Sequence, residues 1–275
     1  LWILWSIVPP LLDWVLIESI WTASDRKECW SKMSNPREGA CWAFILGSFE
    51  FFVYGWYPDT EKWRVNLSFI LLIFAIIGVL KETLLGKKYW LWFAAAFPFI
   101  AAWLLLGGLG LQPVETSKLG GILLTIIIGV TGISFSLPIG IVLALGRRSN
   151  MPALKTVCVL FIEFIRGVPL ITLLFVASTM LTYFLPPGST FDLLMRVLIM
   201  VTLFSSAYIA EVVRGGLQGL PPGQYEAADS LGLTYWKAHR LIILPQALKI
   251  SIPGIVNTFI GLFKDTTLVL IIGMM

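Results

Sequence analysis

Charge is scarce in this chain. Asp, Glu, Lys and Arg make up 13% of its 275 residues, against about 25% in a soluble domain. No water-facing surface can be built from that supply, so a soluble globular protein is excluded. Histidine occurs once, as His239, and the three cysteines form no Cys/His cluster, which argues against a metal centre. Leu85-Gly86-Lys87-Lys88 lacks the earlier glycine and the Ser/Thr of a phosphate-binding loop. No strand–elbow–helix nucleophile pattern occurs either. The chain therefore offers no nucleotide site, no cofactor site and no catalytic constellation of its own. Its formal net charge of +4 is small and sits largely in short loops, so it speaks to membrane orientation and not to nucleic acid.

What is abundant is apolar. Hydrophobic residues make up 57% of the chain, and the mean hydropathy is +0.86. The long uncharged runs have the length of helical spans, not the alternation of barrel strands. We expect an all-α, multi-span transmembrane bundle in contact with lipid, with the 12 tryptophans forming interfacial belts. Leu1–Ile20, broken by Pro9, Pro10 and Asp13, is expected as half a span or a segment bent into the interface. Trp21–Arg64 is expected as a long loop. Val65–Leu80, flanked by Arg64 and Lys81 placed to snorkel, and Tyr89–Leu111 are spans. Leu119–Leu145 has no charge, and Gly132, Ser136, Gly140 and Ala144 recur along one face, a spacing that lets helices pack closely in lipid. Pro138 is expected to kink it. A span over about Ala153–Leu185 is interrupted at Gly167-Val168-Pro169, Pro186–Thr190 is a turn, and Asp192–Val213 and Gln246–Met275 are further membrane segments. With no methionine at Leu1 and no basic n-region or cleavage site near it, the chain reads as part of a longer protein and not as one with a signal peptide.

Basic residues cluster at Lys81–Lys88, at Arg147–Lys155 and at Lys237 and Arg240. The positive-inside rule places these on the cytoplasmic side, and Trp21–Arg64, Gln112–Lys118 and Pro186–Thr190 outside. In a Gram-negative cell, Cys29 and Cys41 then face an oxidising compartment. They either form a disulfide or remain two thiols, because spacing alone does not fix pairing. Cys158, inside a span, is expected to serve packing.

A polar island, Pro221–Pro245, lies between apolar segments. Pro221, Pro222 and Gly223 stop the preceding helix, and Tyr225–Leu231 reads as a short new one with Glu226 and Asp229 early. Ala227 and Ala228 would let another protein approach the backbone, and Gly232 supplies a turn or a further close approach. Glu226-Ala227-Ala228, Gly232 and Ile242-x-Leu244-Pro245, at these spacings, resemble the EAA loop of ABC importer permeases. The resemblance implies a cytoplasmic coupling helix docked on an ATPase, with Glu226, Ala227, Ala228, Asp229, Gly232 and Leu233 at the contact.

Phe161–Phe175, Ser206–Leu233, Leu244–Leu248 and Leu262–Val269 resemble the polar amino acid permeases of ABC importers. The segment from 1 to 115, with Gly39-Ala40-Cys41-Trp42, resembles the extended subunits of general L-amino acid systems. The resemblance implies a permease core over 119–275 with four of five spans, its coupling loop at 221–245. Before it, residues 1–115 form an extension of about three membrane segments with an outside loop at 21–64. Implied partners are a second, similar permease subunit, two ATPase subunits that bind ATP and Mg, and a periplasmic amino acid-binding protein. Localisation is the inner membrane of a Gram-negative cell.

Within the spans, Lys264 and Asp265 are adjacent ionisable residues where charge is expensive. They serve either the substrate path or a gate stabilised by their own ion pairs. Thr266, Ser205, Ser206 and Tyr208 are further candidates for a polar path, or for helix packing. Glu163 with Arg166, and Glu211 with Arg214, are each three apart and can meet on one helix face, as an intramembrane network. A secondary transporter would want coupling carboxylates at midplane, which are few here, and a membrane-embedded enzyme lacks its catalytic groups.

Overall fold

The computed structural model describes residues 2–23, 26–32, 39–83, 85–184 and 191–273; the turn expected at 186–190 lies outside them. All described elements are helical, apart from isolated bridges. Helix α1 (Trp2–Leu12) passes Pro9 and Pro10 and continues as a π turn, Asp13–Ile17. Then come α2 (Arg26–Ser31), α3 (Trp42–Tyr54), α4 (Lys62–Leu80) and α5 (Lys87–Leu106). The longest helix, α6 (Gly121–Arg147), is followed by α7 (Pro152–Gly167), α8 (Leu170–Phe175) and α9 (Leu181–Phe184). Finally α10 (Leu193–Gln218), α11 (Gly223–Ser230), α12 (Tyr235–Ala238) and α13 (Leu244–Asp265) close the order, with a 3-10 stretch to Ile272.

Five helical stretches are long and apolar enough to cross a membrane, or six if the α7 and α8 pair counts as one. That pair bends by 101° at Gly167-Val168-Pro169, where the residue before proline is pushed into extended backbone. Val168 is extended accordingly. Helix α6, by contrast, runs unbroken through Pro138.

Four sequence expectations need correction. Residues 21–64 are not one loop: the run Trp42–Tyr54 is apolar at nearly every position and forms α3, about 20 Å long and so short of the roughly 30 Å hydrocarbon core. Arg64 does not snorkel. It is 2% exposed, its Nε lies 2.8 Å from Glu61 Oε2, and its Nη1 donates to the Gln112 carbonyl at 2.7 Å. Nor does Pro245 end a loop, since helix runs from Tyr235 through it. A π turn, His239–Ile243, lies directly before Pro245, where the proline ring would clash with the carbonyl four residues back in a regular helix. Helix α5 stops at Leu106, short of the expected Leu111, because Gly107, Gly108 and Gly110 adopt positive φ.

The small-residue face of α6 does what its spacing predicts. Ser136 and Ala144 are buried, and a Cβ at Gly140 would lie 2.6 Å from Ile209 Cγ2 on α10. On the far side of α10, a Cβ at Gly216 would lie 2.5 Å from the Ala247 carbonyl of α13, and Ser251 Oγ donates to the Val212 carbonyl at 3.2 Å. Helices α6, α10 and α13 thus pack nearly backbone to backbone. One core cluster gathers Leu123, Ile128, Val197, Val201 and Leu262; a second gathers Ala144, Ile162, Ile209, Val213 and Ala247 nearer α11.

Candidate functional site

Helix α11 begins after Pro221 and Pro222 and ends in a glycine turn. Gly232 has φ +65°, its N–H donates to the Asp229 carbonyl at 2.9 Å, and Leu233 N–H donates to the Ala228 carbonyl at 3.2 Å. This is a Schellman ending, which favours glycine at the left-handed position. No atom lies within 4 Å of a Cβ built at Gly232. Of the two expected uses of Gly232, the structure places it in the turn.

The two alanines are divided. Ala228 is 1% exposed and covered by this chain itself, whereas Ala227, Glu226 and Asp229 are exposed. The expectation that a partner approaches both alanines therefore fails for Ala228. Its methyl faces inward, over a small cleft lined by Arg148, Tyr225, His239 and Ile243.

Tyr225 ties α11 to the spans. Its hydroxyl donates to the Leu217 carbonyl of α10 and accepts from Arg148 Nη1, both at 3.1 Å, and the Arg148 guanidinium stands 5.6 Å from the ring centroid. Gln246 Nε2 of α13 donates to Gln224 Oε1 at 2.9 Å. A short helix so held cannot shift without pulling on α6, α10 and α13. The sequence assigns no role to Tyr225 or Gln224 and marks Arg148 only as a charge in the basic stretch Arg147–Lys155. Their only signals were an aromatic at the helix start and an Arg147-Arg148 doublet closing an uncharged span.

Above this anchor lies an ion-pair network centred on Glu211 of α10, 15% exposed. Arg147 Nη1 at the end of α6 lies 2.7 Å from Glu211 Oε1, and Arg214 Nη2 lies 2.8 Å from Oε2. Arg166 of α7 is looser, with Nη1 at 3.8 Å from Oε2 and its guanidinium 5.6 Å from the Tyr208 ring centroid. The Glu211–Arg214 pair forms as expected. The Glu163–Arg166 pair does not: Glu163 Oε1 goes instead to Arg147 Nη1 at 2.8 Å. The sequence alone marks Arg147 only as a topological charge. Three guanidiniums against two carboxylates leave the cluster with one excess positive charge, joining α6, α7 and α10.

The other path candidates stay apart from this network. Ser206 Oγ and Thr266 Oγ1 are buried and turned onto their own helix, donating to the Leu203 and Phe263 carbonyls at 2.7 Å. Ser205 is buried as well. Lys264, exposed, and Asp265, half-buried, follow Leu262 and Phe263, which pack against Gly132 and Gly129 of α6. Neither has an ion pair among the described residues. Of the path candidates only Tyr208 touches the charged cluster. Cys29 and Cys41 are joined by a disulfide, Cα atoms 6.3 Å apart, and Cys158 is buried and free.

Comparison with known proteins gives this architecture a family. The chain is 50% identical over 276 residues, 100% of its own length, to 74% of the inner membrane amino-acid ABC transporter permease protein YhdY of Escherichia coli (strain K12). It is 44% identical over 322 residues to the glutamate/glutamine/aspartate/asparagine transport system permease protein BztC of Rhodobacter capsulatus, covering 94% of this chain and 74% of that one. A solved structure described as an amino acid ABC transporter with histidines is 35% identical, covering 54% of this chain and 68% of that chain with a TM-score of 0.48. The profile of binding-protein-dependent transport system inner membrane components matches residues 136–275, the region that holds the network, α11 and α13. The chain belongs to that family of membrane transport permeases.

Proposed function

We propose that this chain is the membrane-spanning permease subunit of an ATP-driven importer of L-amino acids. The observation that carries it is the anchoring of α11 through Tyr225, Arg148 and Gln246, with Glu226, Ala227 and Asp229 left exposed. That arrangement suits a helix seated in a partner's groove. Amino-acid cargo is supported by the names of the relatives, YhdY and BztC. The assembly has a second, similar permease subunit, two ATPase subunits that bind ATP and Mg, and a periplasmic binding protein delivering the amino acid. It sits in the inner membrane of a Gram-negative cell with α11 in the cytoplasm, supported by the basic loops on that side.

ATP closes the ATPase dimer, draws the two coupling helices together and tilts the attached spans. Moving an equilibrium from 1:99 to 99:1 takes about 5.5 kcal/mol of differential stabilisation, and only a tightly held helix passes that load on. A zwitterionic amino acid needs partners for both its charges, which we assign to the surroundings of Lys264, Asp265 and Thr266 together with the second permease. Broken or discontinuous helix ends supply such partners in other transporters.

The test is reconstitution of the assembled complex in vesicles, with uptake measured against a panel of amino acids. ATP-dependent, binding-protein-dependent uptake of L-amino acids is expected. Uptake driven by an ion gradient without ATPase, or of a different small polar solute only, overturns the proposal.

A further inference from the structure

A cavity of about 860 Å³ runs between the α4 and α5 pair on one side and α6 and α10 on the other. This is near the top of the roughly 300–1,000 Å³ range of small-molecule pockets. Phe69, Phe97 and Ala101 form one wall, and Ile127, Phe135 and Leu198 the other. All belong to helices long and apolar enough to cross a membrane, so the cavity lies at bilayer depth. Helix α4 packs chiefly on α5, and α6 chiefly on α10, which leaves the seam between the two pairs unfilled by helix packing. It is not a path for an amino acid, because its body holds no charged group to meet a carboxylate or an ammonium.

Two polar features mark it. Ser68 lines the cavity, is 4% exposed, and its Oγ has no hydrogen-bond partner among the described residues. A buried hydroxyl left unpaired is destabilising. Ser68 lies about 9 Å along α4 from its first residue, Lys62, at 1.5 Å rise per residue. At the end of the bundle away from α11, Glu115, Thr116 and Asp192 also line the cavity. Asp192 Oδ2 accepts from Thr116 Oγ1 at 2.5 Å, and Glu115 Oε2 from Ser117 Oγ at 3.1 Å. Neither carboxylate has an ion pair among the described residues. Lys118 and Arg196, the nearest basic residues in sequence, do not line the cavity, and Arg196 is turned onto the Phe191 and Ser178 carbonyls.

We propose that this cavity holds the acyl chains of a phospholipid whose headgroup carries an ammonium. The chains fill the apolar seam, Ser68 Oγ donates to an ester carbonyl, and the ammonium meets Glu115 and Asp192. A helix from another subunit fits less well. It brings no cation of necessity to the two carboxylates at the mouth. An anionic headgroup is repelled by the same two carboxylates. The lipid thereby mortars the α4 and α5 pair to the rest of the bundle. Assigning it to the outer leaflet follows from the orientation proposed above; the site itself does not depend on the transport reading.

Native mass spectrometry of the purified whole complex tests this, after delipidation and exchange into nanodiscs of phosphatidylethanolamine or of phosphatidylglycerol. We expect one phosphatidylethanolamine retained per copy of this chain and no retained phosphatidylglycerol. Ala101→Trp, which fills the seam, should lower retention by about tenfold or more. Ser68→Ala, a change too small to endanger folding, should weaken it by a few-fold, roughly the loss of one hydrogen bond. Glu115→Lys should turn the preference towards phosphatidylglycerol. Equal retention of both lipids, unchanged retention in Ala101→Trp and Ser68→Ala, or a cross-link from position 101 to the second permease with no lipid bound, each overturns the proposal.

Discussion

Arg147 Nη1 and Glu211 Oε1 stand 2.7 Å apart, joining the last turn of α6 to α10 across 64 positions of the chain. The same arginine holds Glu163 of α7 at 2.8 Å, so three helices meet at one guanidinium. This gives the anchored end of the bundle a rigid frame beside α11.

Glu211→Gln leaves three guanidiniums around a neutral amide. Because Glu211 is 15% exposed, the expected loss of stability is on the order of 2–5 kcal/mol. Glu163 is 55% exposed, and Glu163→Gln should cost no more than about 1 kcal/mol. Thermal unfolding of the solubilised complex compares the two; equal effects would show that Glu211 is not the hub.

At Gly232, the expected penalty comes from backbone conformation, since φ is +65° and no atom crowds a Cβ there. Gly232→Val should therefore lower substrate-coupled ATPase activity strongly. Gly232→Asn, which tolerates the left-handed region better, should retain much of it. A Gly232→Val complex that stayed fully coupled would remove the glycine from the coupling device.

The two alanines of α11 should separate by phenotype. Ala227→Trp is expected to leave the fold intact and weaken capture of the ATPase, because Ala227 is exposed. Ala228→Leu overfills a site that is 1% exposed and should cost about 1–3 kcal/mol of stability. Pull-down and thermal unfolding, run on both variants, distinguish them.

Tyr225→Phe removes the hydrogen bonds to Leu217 and Arg148, worth about 0.5–1.5 kcal/mol each. Hydrogen exchange over Gly223–Ser230 should quicken while exchange in α10 stays slow. Unchanged exchange would mean the helix is held by other contacts.

Non-reducing peptide mapping should recover Cys29 and Cys41 as one linked species. Cys29→Ser should lower stability by about 3 kcal/mol, the chain-entropy value for a loop of this order. Recovery of two free thiols from protein kept from reductant would end the claim.

Much of this molecule was legible before its coordinates. Most of the spans, the break at Gly167-Val168-Pro169, the small-residue face of α6 and the presence of a short helix after Pro221 and Pro222 follow from run length, proline position and residue size. Those are local properties, and a bilayer enforces them because each spanning segment must satisfy its own backbone hydrogen bonds. What only the tertiary structure decided is who meets whom. Glu211 gathers Arg147 and Arg166 from two other helices, Ala228 turns inward while Ala227 turns out, and Arg64 is buried where charge spacing placed it at a water interface. These outcomes depend on the distance and angle at which helices far apart in sequence come together. Steric contacts such as Gly140 against Ile209 set that geometry, and no single segment carries it.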